Sequence, residues 1–372
     1  MIDYLIIKKH QNISMSKRNI SFTEAIREAV FQSIKKDKNL FLMGEGVDDP
    51  SSMWGTIKGV KKKFGKSKTI EMPVSENGMI GVAIGAAING SKVLVNLQRV
   101  EFALYAFEQI INNAAKTSYI SRGQHSVPIV IRMVIGRGWG QGPEHGQSLE
   151  NIFSAIPGLK VVIPAFPEEA KSMLIASIFD PNPVIFLEHR WSHFAKGKVD
   201  EKFKIKKLKS FNKITNGSQL TLIANSVNVL ECLRVSKLLK KYNINIDLFN
   251  LCMPNPLDLT EIIRSVKKTK RIITIDLSHK RLGMGAEIIA SILEKKINLK
   301  SSPIRLGLPF HPVPSSRGLI KNFYPTGHDI LNSIRESLKI DKIKFSKILN
   351  EYNSSTKKLP IDVPDPYFKG PF

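Results

Sequence analysis

The chain has 372 residues, 42% hydrophobic and 24% charged, so it can bury a large core and is neither a disordered chain nor a disulfide-stapled mini-protein. Lys and Arg outnumber Asp and Glu by 56 to 32, but the excess is mostly lysine in short runs without interleaved aromatic residues. This pattern predicts a solvated basic surface and no nucleic-acid binding. No run approaches 18 consecutive apolar residues, so no membrane span is predicted.

Helical and strand patterns alternate along the chain. They predict an α/β fold of two doubly wound domains with mainly parallel sheets. In the first half we expect helices at 22–34, 81–88 and 102–120, and strands at 40–43, 93–95, 128–134, 159–163 and 183–187. In the second half we expect strands at 220–223, 244–249, 271–276 and 303–306, with helices at 229–241 and from 283 onward.

Changes in composition divide the chain into parts. We predict an N-terminal extension over 1–18, a first domain over 19–195, a Lys-rich linker over 196–217, a second domain over 218–340, and a Lys- and Pro-rich tail over 341–372. The two cysteines, Cys232 and Cys252, lie among apolar residues without metal-binding or redox spacing. As buried free thiols they favour a reducing, cytoplasmic location.

The segment Pro73-Val-Ser-Glu-Asn-Gly78 places Glu76 after an extended stretch and before a Gly/Ala-rich helix. Ligands bind α/β proteins at the end of the sheet where strands stop and helices begin, and a carboxyl group there is suited to share a proton with a ring nitrogen. The alternative for a lone Glu before a helix is a cap or dipole partner.

A glycine-rich segment over 135–148 follows the strand at 128–134. Its glycines predict an adaptable loop that lets the backbone approach a ligand, and His145 at its end is suited to act as an acid or base near neutral pH. The alternative is an ordinary loop histidine. The Gly-Lys-Ser/Thr pattern of a phosphate-binding P-loop is absent.

Taken together and in this order, these segments resemble the beta subunit of thiamine-diphosphate-dependent 2-oxoacid dehydrogenase E1 components of the pyruvate and branched-chain types. The resemblance covers about residues 20–335 and is carried by 44–47, 73–78, 102–115, 127–131, the loop with His145, 157–162 and 180–188. It implies a transketolase-like pyrimidine-binding domain followed by a transketolase C-terminal domain. The implied reaction is decarboxylation of a pyruvate-like 2-oxoacid with acyl transfer to a lipoyl group on an E2 protein.

The resemblance also implies roles for individual residues. Glu76 would hydrogen-bond a ring nitrogen of the thiamine pyrimidine, Phe102 would pack on that ring, and Val74 would line it. His145 matches the active-site histidine that steers substrate or acyl transfer, and Glu45 matches an acidic position buried between active sites.

A potassium ion is a further implication of the resemblance. Ile129, Asp180 and Asn182 fall at positions that match a potassium site built largely from backbone carbonyls. The alternative is a polar turn at the entry to a strand, in which Asp and Asn serve as turn residues.

The chain contains no Gly-Asp pair, whereas a self-sufficient thiamine enzyme binds Mg²⁺ and the diphosphate through Gly-Asp-Gly and a later Asn. The resemblance therefore implies a partner alpha subunit that holds Mg²⁺, in an α2β2 heterotetramer. The usual opening of the family resembles the sequence from Met15, so residues 1–14 are either an upstream extension or lie before the true start. The segment 361–367 is either a partner-docking strand or a disordered end.

Some residues depart from the family pattern. Before Phe102, typical members carry a Glu-Phe-Met-Thr-Phe-like strand, whereas this chain has Val95-Asn-Leu-Gln-Arg-Val-Glu101, in which Arg99 adds a charge close to the expected pocket. Arg137 and Trp139 stand where typical members have small or neutral residues, and the strand after Asp180 ends in Glu188-His-Arg-Trp191. A cationic pocket favours a substrate with an additional anionic or sugar-like group. These features leave open a transketolase-like carboligase that uses an aldehyde or sugar-type acceptor. A non-catalytic assembly partner is the third possibility, which the presence of Glu76 and His145 disfavours.

Overall fold

The computed structural model describes residues 17–49, 51, 53–136 and 141–356. Arg137, Trp139, the region before residue 17 and the segment 361–367 lie outside the described residues. The chain divides into two compact units. The first contains the described residues up to 134 with 157–159 and 166–208, and the second contains the described residues of 135–156 together with 160–165 and 209–356.

The first 200 residues form eight strands and seven α-helices within the described ranges. The strands are β1 (Lys17–Ser21), β2 (Leu40–Gly44), β3 (Thr69–Glu71), β4 (Lys92–Arg99), β5 (Ile129–Ile135), β6 (Lys160–Val162), β7 (Val184–His189) and β8 (Lys196–Asp200). The helices are α1 (Phe22–Lys36), α2 (Val60–Phe64), α3 (Glu76–Ile88), α4 (Ala115–Ile120), α5 (Gly142–His145), α6 (Glu150–Ser154) and α7 (Pro167–Ile178). Six strands form a sheet in the order β3-β2-β4-β5-β7-β6, and β1 pairs antiparallel with β8.

The rest of the described chain forms a second sheet and its helices. The strands are β9 (Phe211–Lys213), β10 (Leu220–Ala224), β11 (Ile246–Leu251), β12 (Ile272–His279) and β13 (Ile304–Leu308). The helices are α8 (Val227–Lys240), α9 (Thr260–Thr269), α10 (Met284–Glu294), α11 (Gly327–Leu338) and α12 (Lys342–Thr356). The sheet order is β13-β12-β10-β11-β9, and only the edge strand β9 is recorded as antiparallel to its neighbour. The predicted fold class is confirmed.

Helix α1 illustrates how local sequence sets these elements. Ser21 caps it, since the Ser21 hydroxyl accepts a hydrogen bond from the Glu24 backbone while the Glu24 carboxylate accepts one from the Ser21 backbone. Its face of Phe22, Ala25, Ile26, Ala29, Val30 and Ile34 is buried. The helix predicted over 22–34 is therefore confirmed.

The long helix predicted over 102–120 is not a regular α-helix. It begins with a three-ten segment over Val100–Ala106, continues as a π segment over Gln109–Ala114, and ends as α4. Val100, Ala103 and Ala106 are fully buried. Their spacing of three residues matches the three residues per turn of a three-ten helix, so the tighter winding brings all three to one face.

Two predicted irregular segments are partly structured. The segment predicted as a linker contains β8 and β9, and residues predicted as part of the tail form α12. Phe345, Ile348 and Tyr352 of α12 are buried, and the Tyr352 hydroxyl donates a 2.6 Å hydrogen bond to Glu231 of α8. Residues 342–356 of the predicted tail therefore form a helix that packs on the second unit. Within the described residues, no helix is long and apolar enough to cross a membrane.

Candidate functional site

Three carboxylates lie at the carboxyl end of the first sheet. Glu45 follows β2, Glu71 ends the neighbouring strand β3, and Glu76 begins α3. Both Glu45 and Glu76 are 8% exposed, whereas the Glu71 carboxylate accepts hydrogen bonds from the backbone N–H groups of Gly46 and Asp48 at 2.8 and 2.6 Å. The strands β2 and β3 are parallel, so their carboxyl ends lie side by side at the same end of the sheet and bring these acids together.

The crowding of these acids changes the protonation of Glu45. Burial raises the pKa of Glu45 to about 7, and the negative charges of Glu76 and Glu71 add to the rise. The Glu45 Oε1 atom is buried without a hydrogen-bond partner. A buried carboxyl group that is half-protonated near neutral pH and has an unused oxygen is suited to a bound polar ligand.

Gly44 fixes the position of the carboxyl end of β2 against β4. Its φ of +146° favours glycine, and an added Cβ would lie 2.2 Å from the backbone oxygen of Asn96 on β4. This close approach lets the Glu45 backbone N–H donate to the Asn96 backbone oxygen at 3.2 Å and the Gln98 side chain donate to the Glu45 backbone oxygen at 3.0 Å. The end of β2 is therefore tied to β4 through the backbone.

The two other residues predicted around the pyrimidine differ in exposure. Phe102 lies half-buried in the three-ten segment that follows β4, in the same unit as Glu76. Val74 is 82% exposed, two residues before α3. Tyr105, one turn beyond Phe102, is 71% exposed. Glu45 and Glu76 are thus buried within this unit, whereas the Val74 side chain is exposed.

A buried polar network that the sequence motifs did not predict occupies the middle of the same sheet. Arg132 of β5 and Glu188 of β7 form an ion pair with 2.7 Å between Nε and Oε1, and neither side chain has exposed surface. Arg132 also donates to Asn96 at 3.2 Å, and His193 bonds the second oxygen of Glu188 at 3.1 Å. Arg132 within an otherwise apolar strand was the available signal, since a buried arginine requires a buried acid.

The network has a definite charge state. Burial alone would raise the pKa of Glu188, but the charge of Arg132 and the bond from His193 hold it below its ordinary value. Burial lowers the pKa of His193, against the pull of Glu188, so this histidine is neutral at neutral pH. Arg132 and Glu188 therefore compensate each other.

Two more arginines follow the strands of this edge. Arg99 ends β4 and pairs with Glu101 at 2.9 Å, with both side chains buried. Arg190 follows β7, is 4% exposed, and has a buried Nη1 atom without a hydrogen-bond partner. Its guanidinium lies 4.9 Å from the ring centre of Trp54 and 5.1 Å from that of Phe194. Burial and the charge of Arg99 lower the pKa of Arg190 to about 10.

His145 belongs to the second unit, where it ends the short helix α5 and is half-buried. Gly142 begins this helix with a φ of +67°, and an added Cβ would lie 2.3 Å from the Ser315 hydroxyl oxygen. Pro143 of α5 lines a cavity of about 400 Å³ together with residues that include Gln147, His279 and Phe310. The loop that carries His145 is therefore packed within this unit.

Glu150 and Asp276 are two of the buried acids of the second unit. Glu150 of α6 has no exposed surface and accepts a 3.1 Å hydrogen bond from the Ser278 N–H, and burial raises its pKa. Burial also raises the pKa of Asp276 to about 7, against hydrogen bonds from the Gly285 N–H and with the charge of Glu150 adding to the rise. The charge of Arg305 acts against the rise at Asp276.

The residues predicted to hold potassium form a turn and a strand start. Ile129 is the first residue of β5, and Asp180 Oδ1 accepts hydrogen bonds from the Asn182 backbone and side-chain nitrogens at 2.9 and 3.1 Å. This is the polar turn weighed as the alternative. Among the described residues, no group of three or more His, Cys, Asp and Glu side chains could hold a metal ion. The potassium site stays a prediction.

Comparison with known proteins relates both units to one family. Residues 18–193 match the transketolase pyrimidine binding domain, and residues 210–330 match the transketolase C-terminal domain. A split-gene transketolase solved as an inactive beta4 tetramer superposes with a TM-score of 0.66, covering 87% of this chain and 99% of that one at 17% identity. At that identity the superposition supports the fold alone.

Curated relatives give a more specific relationship. The beta subunit of acetoin:2,6-dichlorophenolindophenol oxidoreductase from Bacillus subtilis is 34% identical, with 86% of this chain and 98% of the relative covered. The mitochondrial pyruvate dehydrogenase E1 beta subunit of Saccharomyces cerevisiae is 31% identical, covering 88% and 91%. The corresponding Rickettsia bellii subunit is 32% identical, covering 85% and 98%. The chain therefore belongs to the family of pyruvate dehydrogenase E1 and acetoin oxidoreductase beta subunits, built from a transketolase pyrimidine-binding and a transketolase C-terminal domain.

Proposed function

We propose that the chain is the beta subunit of a thiamine-diphosphate-dependent 2-oxoacid dehydrogenase E1. In this role it decarboxylates a pyruvate-like 2-oxoacid and passes the acyl group to a lipoyl group on an E2 protein. The observation that carries the proposal is Glu76, buried at the start of α3 beside a second acid, Glu45, whose pKa is raised to about 7. The relatives named above are oxidoreductase subunits, so the carboligase is not favoured.

The residues of the first unit fit the pyrimidine half of thiamine diphosphate. When bound, this cofactor supplies the nucleophilic carbon and the electron sink for decarboxylation. Glu76 would hold a proton at a ring nitrogen, Phe102 would pack against the ring, and Val74 would line it. The unpartnered oxygen of Glu45 supports a polar ligand at this edge. Because the pKa of Glu45 is near 7, it would exchange a proton with its surroundings at neutral pH.

We assign His145 to substrate positioning and acyl transfer. It lies at the end of α5, in a loop whose position depends on the tight contact of Gly142 with Ser315. A bound potassium ion near Ile129, Asp180 and Asn182 is the remaining cofactor proposal for this chain.

The proposed complex includes an alpha subunit in an α2β2 heterotetramer. The chain has no Gly-Asp pair for Mg²⁺ and the diphosphate, so the alpha subunit would hold both. Val74, two residues before the buried Glu76, is 82% exposed, and Tyr105, three residues after the half-buried Phe102, is 71% exposed. Apolar and aromatic surface of this kind is typical of an interface, which supports a partner that completes the site.

The decisive experiment uses the complex of this chain with its alpha subunit, Mg²⁺ and thiamine diphosphate. Glu76→Gln should abolish almost all decarboxylation of pyruvate while the complex still assembles, because the amide cannot take the proton that the carboxylate holds. Glu261→Gln, an exposed site on α9, makes the same chemical change away from the site and should retain wild-type turnover. Acetoin is assayed in parallel, since one relative is named for it.

The outcomes separate the possibilities. Pyruvate turnover that depends on Glu76 supports the 2-oxoacid assignment, and turnover of acetoin alone would replace pyruvate by acetoin as substrate. Wild-type turnover by Glu76→Gln would remove Glu76 from the mechanism. Tight binding of Mg²⁺ and thiamine diphosphate by the isolated chain would contradict the requirement for an alpha subunit.

A further inference from the structure

Arg190 is a buried cation without an acid. Among the described residues, Arg132 pairs with Glu188 and Arg99 pairs with Glu101, but no carboxylate pairs with Arg190. Burying a charge is unfavourable unless it is paired and hydrogen-bonded. The aromatic rings at 4.9 and 5.1 Å offset only part of this energy, because cation–π contacts do not satisfy the N–H donors.

Among the described side chains of the arginine cluster itself, counted without the three carboxylates near Glu45, positive charges outnumber negative charges by one. Arg99, Arg132 and Arg190 carry three positive charges, Glu101 and Glu188 carry two negative charges, and burial keeps His193 neutral at neutral pH. Burial and, to a smaller extent, the charge of Arg99 lower the pKa of Arg190 to about 10, while no acid among the causes raises it. A bound anion would neutralise this excess.

The position of Arg190 relates it to the proposed site. Arg99 ends β4 and Arg190 follows β7, so both lie at the carboxyl end of the sheet, where Glu45 also lies. Gln98, next to Arg99, contacts the Glu45 backbone at 3.0 Å. A guanidinium presents N–H groups in a planar fork that matches a carboxylate in a bidentate contact, and Trp54 and Phe194 would flank such a ligand with apolar surface.

We propose that Arg190, with Arg99 beside it, binds a second carboxylate of the substrate, so that this enzyme prefers a 2-oxoacid with a carboxylate at its far end. This inference rests on the proposed function. The carboxylate next to the oxo group is a poor partner for Arg190, because it leaves as neutral carbon dioxide and a fixed cation would stabilise the ground state against that loss. A distal carboxylate keeps its charge throughout the reaction.

The kinetic test uses the assembled α/β complex with pyruvate, which has one carboxylate, and with 2-oxoglutarate and 2-oxoadipate, which have two. The wild type should show lower KM values for the dicarboxylates. Arg190→Gln should raise those KM values by about tenfold or more, the loss expected for a charge-assisted contact, and leave the KM for pyruvate unchanged. Arg190→Lys should recover part of the affinity. Arg264→Gln, exposed on α9, removes the same charge elsewhere and should change nothing.

A binding test avoids turnover. Glutarate should raise the unfolding temperature of the complex more than butyrate does, and Arg190→Gln should remove the difference. Equal KM changes for pyruvate and the dicarboxylates, or equal effects of glutarate and butyrate, would overturn the proposal. Loss of α/β assembly in Arg190→Gln would also overturn it, since Arg190 would then pair with an acid of the partner. An Arg190-dependent response to glutarate without any decarboxylation would refute the proposed function and leave the anion site standing.

Discussion

Glu188→Gln is expected to destabilise the first unit strongly. Glu188 accepts hydrogen bonds from Arg132 at 2.7 Å and from His193 at 3.1 Å. Each of the three side chains is at most 1% exposed. A glutamine fits the space but offers only one acceptor oxygen, so its amide N–H₂ faces a donor. The substitution therefore leaves Arg132 as a buried cation without an anion, which lowers the free energy of unfolding by about 3–5 kcal/mol.

The assay is thermal or urea unfolding followed by tryptophan fluorescence, because Trp54 and Trp191 both lie in this unit. At about 2–4 °C per kcal/mol for a domain of this size, the unfolding temperature should fall by roughly 6–20 °C. The control is the double variant Arg132→Met with Glu188→Leu, which removes both charges and should recover most of the loss. A loss below about 1 kcal/mol in Glu188→Gln would refute the argument that this pair is tightly coupled.

The pair also predicts a pH dependence. The pKa of Glu188 in the folded protein lies below its ordinary value, so the carboxylate contributes stability above the unfolded pKa, and that stability is lost as the pH falls through the folded pKa. Wild-type protein should therefore lose stability in acid more steeply than Glu188→Gln. Parallel unfolding curves at each pH would contradict this assignment.

Three more predictions concern other sites. The pKa of Glu45 is raised to about 7 in the folded protein, so the unfolded chain releases this proton at lower pH than the folded protein does. The free energy of unfolding should therefore fall as the pH rises from about 4.5 to 7, and Glu45→Gln should flatten that fall. An unchanged dependence of the free energy of unfolding on pH in Glu45→Gln would contradict the shift. Tyr352→Phe leaves the buried Glu231 oxygen without its 2.6 Å donor and should lower the free energy of unfolding of the second unit by about 1–3 kcal/mol; no change would show that this hydrogen bond does not stabilise the packing of α12. His145→Ala should lower acyl transfer to a lipoyl acceptor more than decarboxylation in single-turnover kinetics; equal losses at both steps would argue against its assigned role.

Central strands such as β5, β7 and β11 were predictable because they are short, mainly apolar and buried at every position. The run from Ile129 to Ile135 is buried at every position, and a continuous apolar run bounded by Pro and Gly is typical of a parallel strand. The π and three-ten windings over 100–114 were not predictable, because small apolar residues at spacings of three and four fit several helical types. Helix α12 was missed because its lysines dominate the composition, although Phe345, Ile348 and Tyr352 are spaced for one helical face.

The candidate site was only partly predictable. Glu76 follows a local pattern of an extended segment and a helix that sequence can reveal, whereas Glu45 was predicted from the family resemblance alone. The partners of Arg132 cannot be found in this way, because Glu188 and Asn96 lie 56 and 36 residues away and are brought together by strand order alone. Arg99 was recognised as an added charge near the pocket, but its pairing with Glu101, two residues on, leaves Arg190 as the cation that is not compensated.

The charges on this sheet edge argue for a binding site rather than a stabilising network. Glu45 has a raised pKa that no arginine lowers, and Arg190 has a lowered pKa that no acid raises. Both are buried at the carboxyl ends of strands in one sheet, and a fold selected only for stability would pair them. Because β4 and β5 separate β2 from β7, each charge is held on its own strand and stays available. A ligand with a polar ring at one end of the edge and a distal anion at the other would satisfy both, which is the arrangement proposed for cofactor and substrate.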